Sequence, residues 1–207
     1  MPTTKVTASG VGGDGANGDD YGGSNGHGPK RDIPVAKLGV WLFIGSLAMI
    51  FAALVSAYLY RIGEKPDYKF AWPSSLWINT CSIILSSITL YVAQVSVSKG
   101  NMRKGLGFLG ATLALGWVFV VSQLVGWLLL TQAGIYAQSN PFAGLLFILT
   151  SVHGVHLLGG IGWLIYLYYL AKLGIMTPKK HLCLDLGSLY WHFMTIVWLV
   201  FFVLIVI

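Results

Sequence analysis

Charged residues are scarce in this chain. Asp, Glu, Lys and Arg make up 10% of its 207 residues, against about 25% in an ordinary soluble domain. Acids are scarcer than bases: there are seven, Asp14, Asp19, Asp20, Asp32, Glu64, Asp67 and Asp185, and all fall outside the long apolar runs. Pumps and transporters keep ionisable groups at membrane depth, so the pattern speaks against a free-standing proton pump; a partner chain would have to supply the acids. Cysteine is almost absent too. Cys81 and Cys183 form no CxxC and no Cys/His cluster. The topology derived below separates them by roughly 25 Å, far beyond the about 5.5 Å between Cα atoms in a disulfide, so both read as free thiols. No stretch alternates with period two for long, which speaks against a β-barrel.

What the chain has in abundance is apolar surface, 56% of its residues. Five apolar runs, at about 36–60, 76–97, 106–130, 142–171 and 186–207, are each long enough to cross a bilayer as a helix. Lipid leaves a spanning backbone no option except helices or a closed barrel. The expected fold is therefore an all-α integral membrane protein with five transmembrane helices. The fourth run, at ~1.5 Å per residue, is about 45 Å long and should tilt or project. Residues 1–35 are Gly-rich and nearly free of apolar side chains. Such a stretch cannot offset its ordering entropy, and it reads as a disordered cytoplasmic tail. It lacks the apolar core behind a basic start that marks a signal peptide. The domain organisation expected is a tail at 1–35 and a single membrane domain at 36–207.

The basic residues give the orientation. Lys5, Lys30, Arg31, Lys37, Lys99, Arg103, Lys104, Lys172, Lys179 and Lys180 fall on one side of the spans, while Arg61, Lys65 and Lys69 fall on the other. The positive-inside rule then puts the N-terminus in the cytoplasm and Ile207 outside. This bias accounts for the net charge of +6 without a nucleic-acid partner. Trp72 and Trp77 towards one face, and Tyr166, Tyr168, Tyr169, Tyr190 and Trp191 towards the other, fit interfacial aromatic belts.

Within the spans the polar residues are few and patterned. Asn79, Ser82, Ser86, Thr89, Ala93 and Ser96 are spaced three and four apart, so they share one helix face. Small and hydroxylated residues let helices approach in lipid and hydrogen-bond across the contact, at about 0.6 kcal/mol each. This face reads as a helix seam, as do Gly45, Ala48, Ala52 and Ser56 on the first span. A path for a polar solute is the competing reading, but hydroxyls alone rarely mark one. Three histidines lie inside: His153, His156 and His192. His153 and His156 share a face with Thr150 and Gly160, and His156 and His192 are expected at similar depth. They read as hydrogen-bonded internal residues that fix packing or hold a lipid headgroup. A haem held by His156 and His192 is a second reading. Another metal is a third, and weak without carboxylate or thiolate beside the pair.

Three stretches carry a family resemblance. They are Leu38-Gly39-Val40-Trp41-Leu42-Phe43-Ile44-Gly45-Ser46 leading to Ala57-Tyr58; Leu149-Thr150-Ser151-Val152-His153-Gly154-Val155-His156 followed by Gly159-Gly160; and Tyr190-Trp191-His192-Phe193 leading to Val197-Trp198-Leu199-Val200-Phe201. Together with Trp72-Pro73, Asn79-Thr80 and Ser86-Ser87 through Thr89, they resemble subunit III of haem–copper terminal oxidases, in a five-helix form. The resemblance implies a non-catalytic subunit that holds no haem and no copper of its own. Those cofactors would sit in partner catalytic subunits, with oxidase subunits I and II as neighbours in a respiratory assembly of the bacterial inner (cytoplasmic) membrane. It further implies a lipid-holding cleft and support for oxygen entry and proton uptake. His153, His156, His192, Trp191 and Trp41 are expected to serve packing or lipid contact, and Asn79, Ser82, Ser86 and Thr89 the seam. The sequence departs from the family in two places. Leu47 stands where a buried Glu is usual, and Thr195 where an Asp is usual, so no role of those carboxylates carries over. The quinol oxidase and nitric oxide reductase accessory subunits are variants of the same reading. A haem b carrier and a small transporter are the readings from other classes.

Overall fold

The computed structural model describes residues 35–61, 75–138, 141–174 and 182–206. The expected tail up to residue 34, the Trp72-Pro73 connection and Lys179 and Lys180 lie outside the described residues. Five helices form: α1 Val35–Arg61, α2 Ser75–Ser98, α3 Met102–Gln132, α4 Pro141–Lys172 and α5 Leu182–Val206. Each is long and apolar enough to cross a membrane, and no strand occurs among the described residues. At ~1.5 Å per residue, α3 and α4 are both well over 40 Å long.

A glycine at positive φ ends three of these helices, Gly100 after α2, Gly134 after α3 and Gly174 after α4, and the first two carry a pair of capping bonds. Gly100 takes φ 82°, its N–H donates to Val97 O (3.0 Å), and the next N–H, of Asn101, donates to Ser96 O (2.9 Å). Gly134, at φ 79°, repeats the pattern with Thr131 O and with the Ile135 N–H on Leu130 O. This pair of bonds satisfies carbonyls that a helix end leaves open, and the left-handed residue between them favours glycine. Because α3 starts at Met102, directly after the first of these caps, α2 and α3 run antiparallel as a tight hairpin.

Two helix starts lie four residues earlier than expected: α3 begins at Met102 rather than near 106, which takes Arg103 and Lys104 into its first turn, and α5 is the other. α5 begins at Leu182 rather than near 186, so Cys183 and Asp185, expected in a loop, stand in its first turn. A carboxylate there is favoured by the helix dipole. It also accepts a hydrogen bond from Gln94 Nε2 of α2 at 2.6 Å.

The helices close a ring. α2 packs on α3, α3 on α4, α4 on α5, and α5 back on α2, while α1 lies outside against α4 and α5. On α3 the buried residues are Gly105, Leu109, Thr112, Gly116, Phe119, Gln123, Gly126 and Leu130. They alternate steps of four and three, the spacing of a helix that wraps a partner along one seam. Gly105 is where α2 and α3 come closest at one end: a Cβ there would lie 2.6 Å from Val97 Cγ2 and 3.6 Å from the Ala93 carbonyl.

The first span does not use its small residues as expected. Gly45, Ala48, Ala52 and Ser56 point outward, and the buried residues are Ile44, Leu47, Phe51 and Tyr58. The reason is the shape of the contact. α1 meets α4 and α5 through large rings, Phe51 against Phe201 (centroids 5.7 Å apart) and Tyr58 against Phe142 (5.1 Å). Interlocking rings hold helix axes apart, so small residues have no close approach to mediate.

Two glycines two positions apart on α3 should therefore behave oppositely. Gly105→Val should lower the thermal unfolding midpoint of the detergent-solubilised chain, with a loss of about 1–3 kcal/mol as for an overpacked core. Gly107→Ala, where nothing lies within 4 Å of the added Cβ, should be neutral or stabilise by up to about 1 kcal/mol through helix propensity.

Candidate functional site

The centre of the ring is a seam of hydroxyls on α2 facing indoles on α5. Asn79, Ser82 and Ser86 are buried and Thr89 is half-buried. The α2 hydroxyls first satisfy carbonyls of their own helix: Thr80 donates to Leu76 O, Ser82 to Asn79 O and Ser86 to Ile83 O. Their oxygens remain free to accept. Trp191 Nε1 donates to Ser86 Oγ at 3.0 Å, and Trp198 Nε1 donates to Thr80 Oγ1 at 3.2 Å. Further along, Ser87 Oγ pairs with His192 Nδ1 at 2.5 Å, and Ser188 Oγ donates to Gln94 Oε1 at 3.1 Å. Higher positions on α5 meet lower positions on α2, so the two helices are antiparallel. Across the hairpin, Thr89 Oγ1 pairs with Thr112 Oγ1 (2.9 Å), and Asn79 Nδ2 donates to Gln123 Oε1 (2.6 Å).

Trp191 touches three other helices. Its ring lies against Gly116 of α3 and Gly160 of α4, where an added Cβ would stand 3.2 Å from ring carbons in each case, and its N–H reaches α2. It is 1% exposed. A glycine on each wall leaves a slot as thick as an aromatic ring, and burying the indole there requires an acceptor for its N–H, which Ser86 provides.

Two turns away along α4 from Gly160, His153 is fully buried among rings. Trp198 (centroids 5.3 Å apart), Phe119 (5.8 Å), Phe201 (5.8 Å) and Phe51 (6.3 Å) surround it, and neither of its nitrogens has a hydrogen-bond partner. His156 is held differently. Its Nδ1 lies 2.8 Å from the Val152 carbonyl, which can only accept, so that nitrogen carries the proton. Its ring stands edge-on to Phe51 of α1 (5.6 Å), and its own carbonyl accepts from Tyr190 Oη (2.8 Å). His192 turns instead to Ser87 of α2. The Nδ1 atoms of His156 and His192 thus bond to different helices, α4 and α2. Among the described residues, no group of three or more His, Cys, Asp or Glu could hold a metal ion. Trp41 is 59% exposed on the outer side of α1 and belongs to neither cluster.

Sequence reading gave no site role to Thr80 and Trp198, which entered only through the family stretches, nor to Gln123, Phe119, Gly116 or the Gln94–Asp185–Ser188 group. The alternating steps of four and three from Gly105 to Leu130 were the available signal for α3. The small residues sit among larger apolar ones along that helix, which hides the stripe from a search for hydroxyls.

The family model for cytochrome c oxidase subunit III matches residues 25–207. The chain is similar to cytochrome c oxidase subunit 3 of Thermostichus vulcanus, 28% identical over 176 residues, covering 81% of this chain and 85% of that one. It is equally similar to the cytochrome bo(3) ubiquinol oxidase subunit 3 of Pseudomonas putida, 28% identical over 173 residues (81% and 83%). A quinol oxidase subunit 3 of Bacillus spizizenii is 28% identical over 170 residues (80% and 83%).

Substitutions in the slot should act on assembly. Trp191→Phe loses the N–H and also the outer ring carbons that lie against Gly116 and Gly160, so it should destabilise the chain by more than the about 0.6 kcal/mol of an average hydrogen bond inside a membrane. Ser86→Leu should destabilise it too, since it overpacks the seam by about 1–3 kcal/mol and strands the indole N–H. The check is the amount of this chain recovered in its purified assembly, set against the turnover of what does assemble. Recovery should fall, and turnover per assembled complex should hold.

Proposed function

The chain belongs to the cytochrome c oxidase subunit III family, a non-catalytic subunit of cytochrome c or quinol oxidases without cofactors of its own, and on that premise we propose that it braces the catalytic subunit of an aerobic haem–copper oxidase and holds lipid at its surface. The observation that carries this reading is the use made of the interior. Thr80, Ser86 and Gln94 of α2 are engaged with Trp198, Trp191, Asp185 and Ser188 of α5 across the helix contact. In this reading His153, His156, His192 and Trp191 fix packing. Trp41 and the outward face of α1 meet lipid or a neighbouring subunit. Haem and copper reside in the partner subunits I and II, and support of oxygen access and proton uptake is exerted through them. The N-terminus faces the cytoplasm of a bacterium, and the chain lies in its inner membrane.

The electron donor is a property of the partners. The equal identity to the Thermostichus vulcanus protein and to the Pseudomonas putida and Bacillus spizizenii proteins supports cytochrome c and quinol oxidases alike.

Gentle detergent purification through this chain, followed by identification of the co-purifying chains and a visible spectrum, tests the proposal. Haem should co-purify with the larger partners and stay with them when this chain is stripped away. Oxidase isolated from a strain lacking the chain should keep its haem spectrum while losing yield or persistence during turnover. Stoichiometric iron retained by the isolated chain would refute the reading.

A further inference from the structure

At the Ser75 end of the ring, a cavity of about 20 Å³ opens between α2, α3, α4 and the last turn of α5. Its polar lining is Ser75, Asn79, Gln123, Trp127 and Thr150. Asn79 is 1% exposed. Its Nδ2 is spent on Gln123 Oε1, and its Oδ1 is buried with no partner. A buried amide oxygen left without a donor is expensive, and such groups are met by protein or by ordered water in nearly all native structures.

We propose that this cavity is a binding site for one ordered water molecule, which donates a hydrogen bond to Asn79 Oδ1 and completes the Asn79–Gln123 amide pair. The size fits: one water needs at least about 10–15 Å³ of such space and two to four polar partners. The partners are available. Beyond Asn79 Oδ1, the second proton can go to Thr150 Oγ1, which already donates to Leu146 O and accepts from Trp127 Nε1 but keeps a lone pair, or to Ser75 Oγ. The Gln123 amide belongs to the same lining and can donate in return. A cation is the wrong occupant, because no lining residue carries a charge and an uncompensated ion would be strongly disfavoured inside a membrane protein. An apolar guest would leave the amide oxygen unmet. His153, the other buried group with unpartnered nitrogens, does not line this cavity.

The test is a map of the intact assembly at a resolution that shows ordered water. A single peak at hydrogen-bond distance from Asn79 Oδ1, with Gln123 or Thr150 as a further neighbour, is expected. No peak, a peak with the short distances and five or six oxygens of a metal ion, or elongated acyl density would overturn the proposal. Xenon pressurisation of the wild-type assembly gives an independent reading: a water-filled site takes up none, whereas xenon at Asn79 would mean a dry cavity. In the Asn79→Leu variant the peak should vanish. If it persists there beside a well-placed leucine side chain, Asn79 does not hold it and the assignment is wrong.

Discussion

An indole N–H inside a lipid-facing protein has no water to fall back on, so a buried tryptophan there must bring its acceptor with it. That requirement governs the centre of this molecule. Trp191 and Trp198 sit two turns apart on α5, and their partners Ser86 and Thr80 sit on α2 in the reverse order. Two such rungs determine both the height of α5 beside α2 and its rotation, because a turn of either helix would break both at once. The slot that admits Trp191 exists only because Gly116 and Gly160 leave its walls bare. Close glycine walls, a flat ring and a hydroxyl form one arrangement, and none of the three is useful alone.

The hydroxyls achieve this at little expense. Ser86 already bonds to its own backbone at Ile83 O, as does Thr80 at Leu76 O, so neither leaves a stranded proton if the partner helix is absent. This explains how α2 can carry so polar a face and still enter a membrane before α5 is made. Asn79 is different. Its own helix satisfies neither end of its amide: Gln123 of α3 accepts from Nδ2, and Oδ1 has no partner within the protein.

The five helices were legible in the sequence because length and apolar composition leave few alternatives in lipid. The α2 face was legible because serine, threonine and asparagine stand out against leucine and isoleucine. The partner surfaces were not. Trp191 reads both as a belt residue and as a packing residue, since sequence alone does not say whether an indole points to a headgroup region or to a hydroxyl on another helix; it is buried. The small residues of α1 read as a seam by the same rule that applies to α2, yet Gly45 and Ala48 face outward. Periodicity marks a face but not whether that face meets a close neighbour, and the rings of Phe51 and Tyr58 on the opposite side decide the matter. Asp185 reads as a loop residue because a charge usually ends an apolar run; the dipole of α5 and the amide of Gln94 let it begin one.

The position of α1 has a consequence for biosynthesis. Ribosomes deliver the chain from its N-terminus, so α1 enters the bilayer when α4 and α5, the helices it packs on, have not yet been made. Its Phe51 and Tyr58 have no berth until the last two segments arrive. Through most of translation the first helix is therefore an unattached guest in the lipid, open to capture by any neighbouring protein, and its contacts within the chain become possible only when α4 and then α5 have been made.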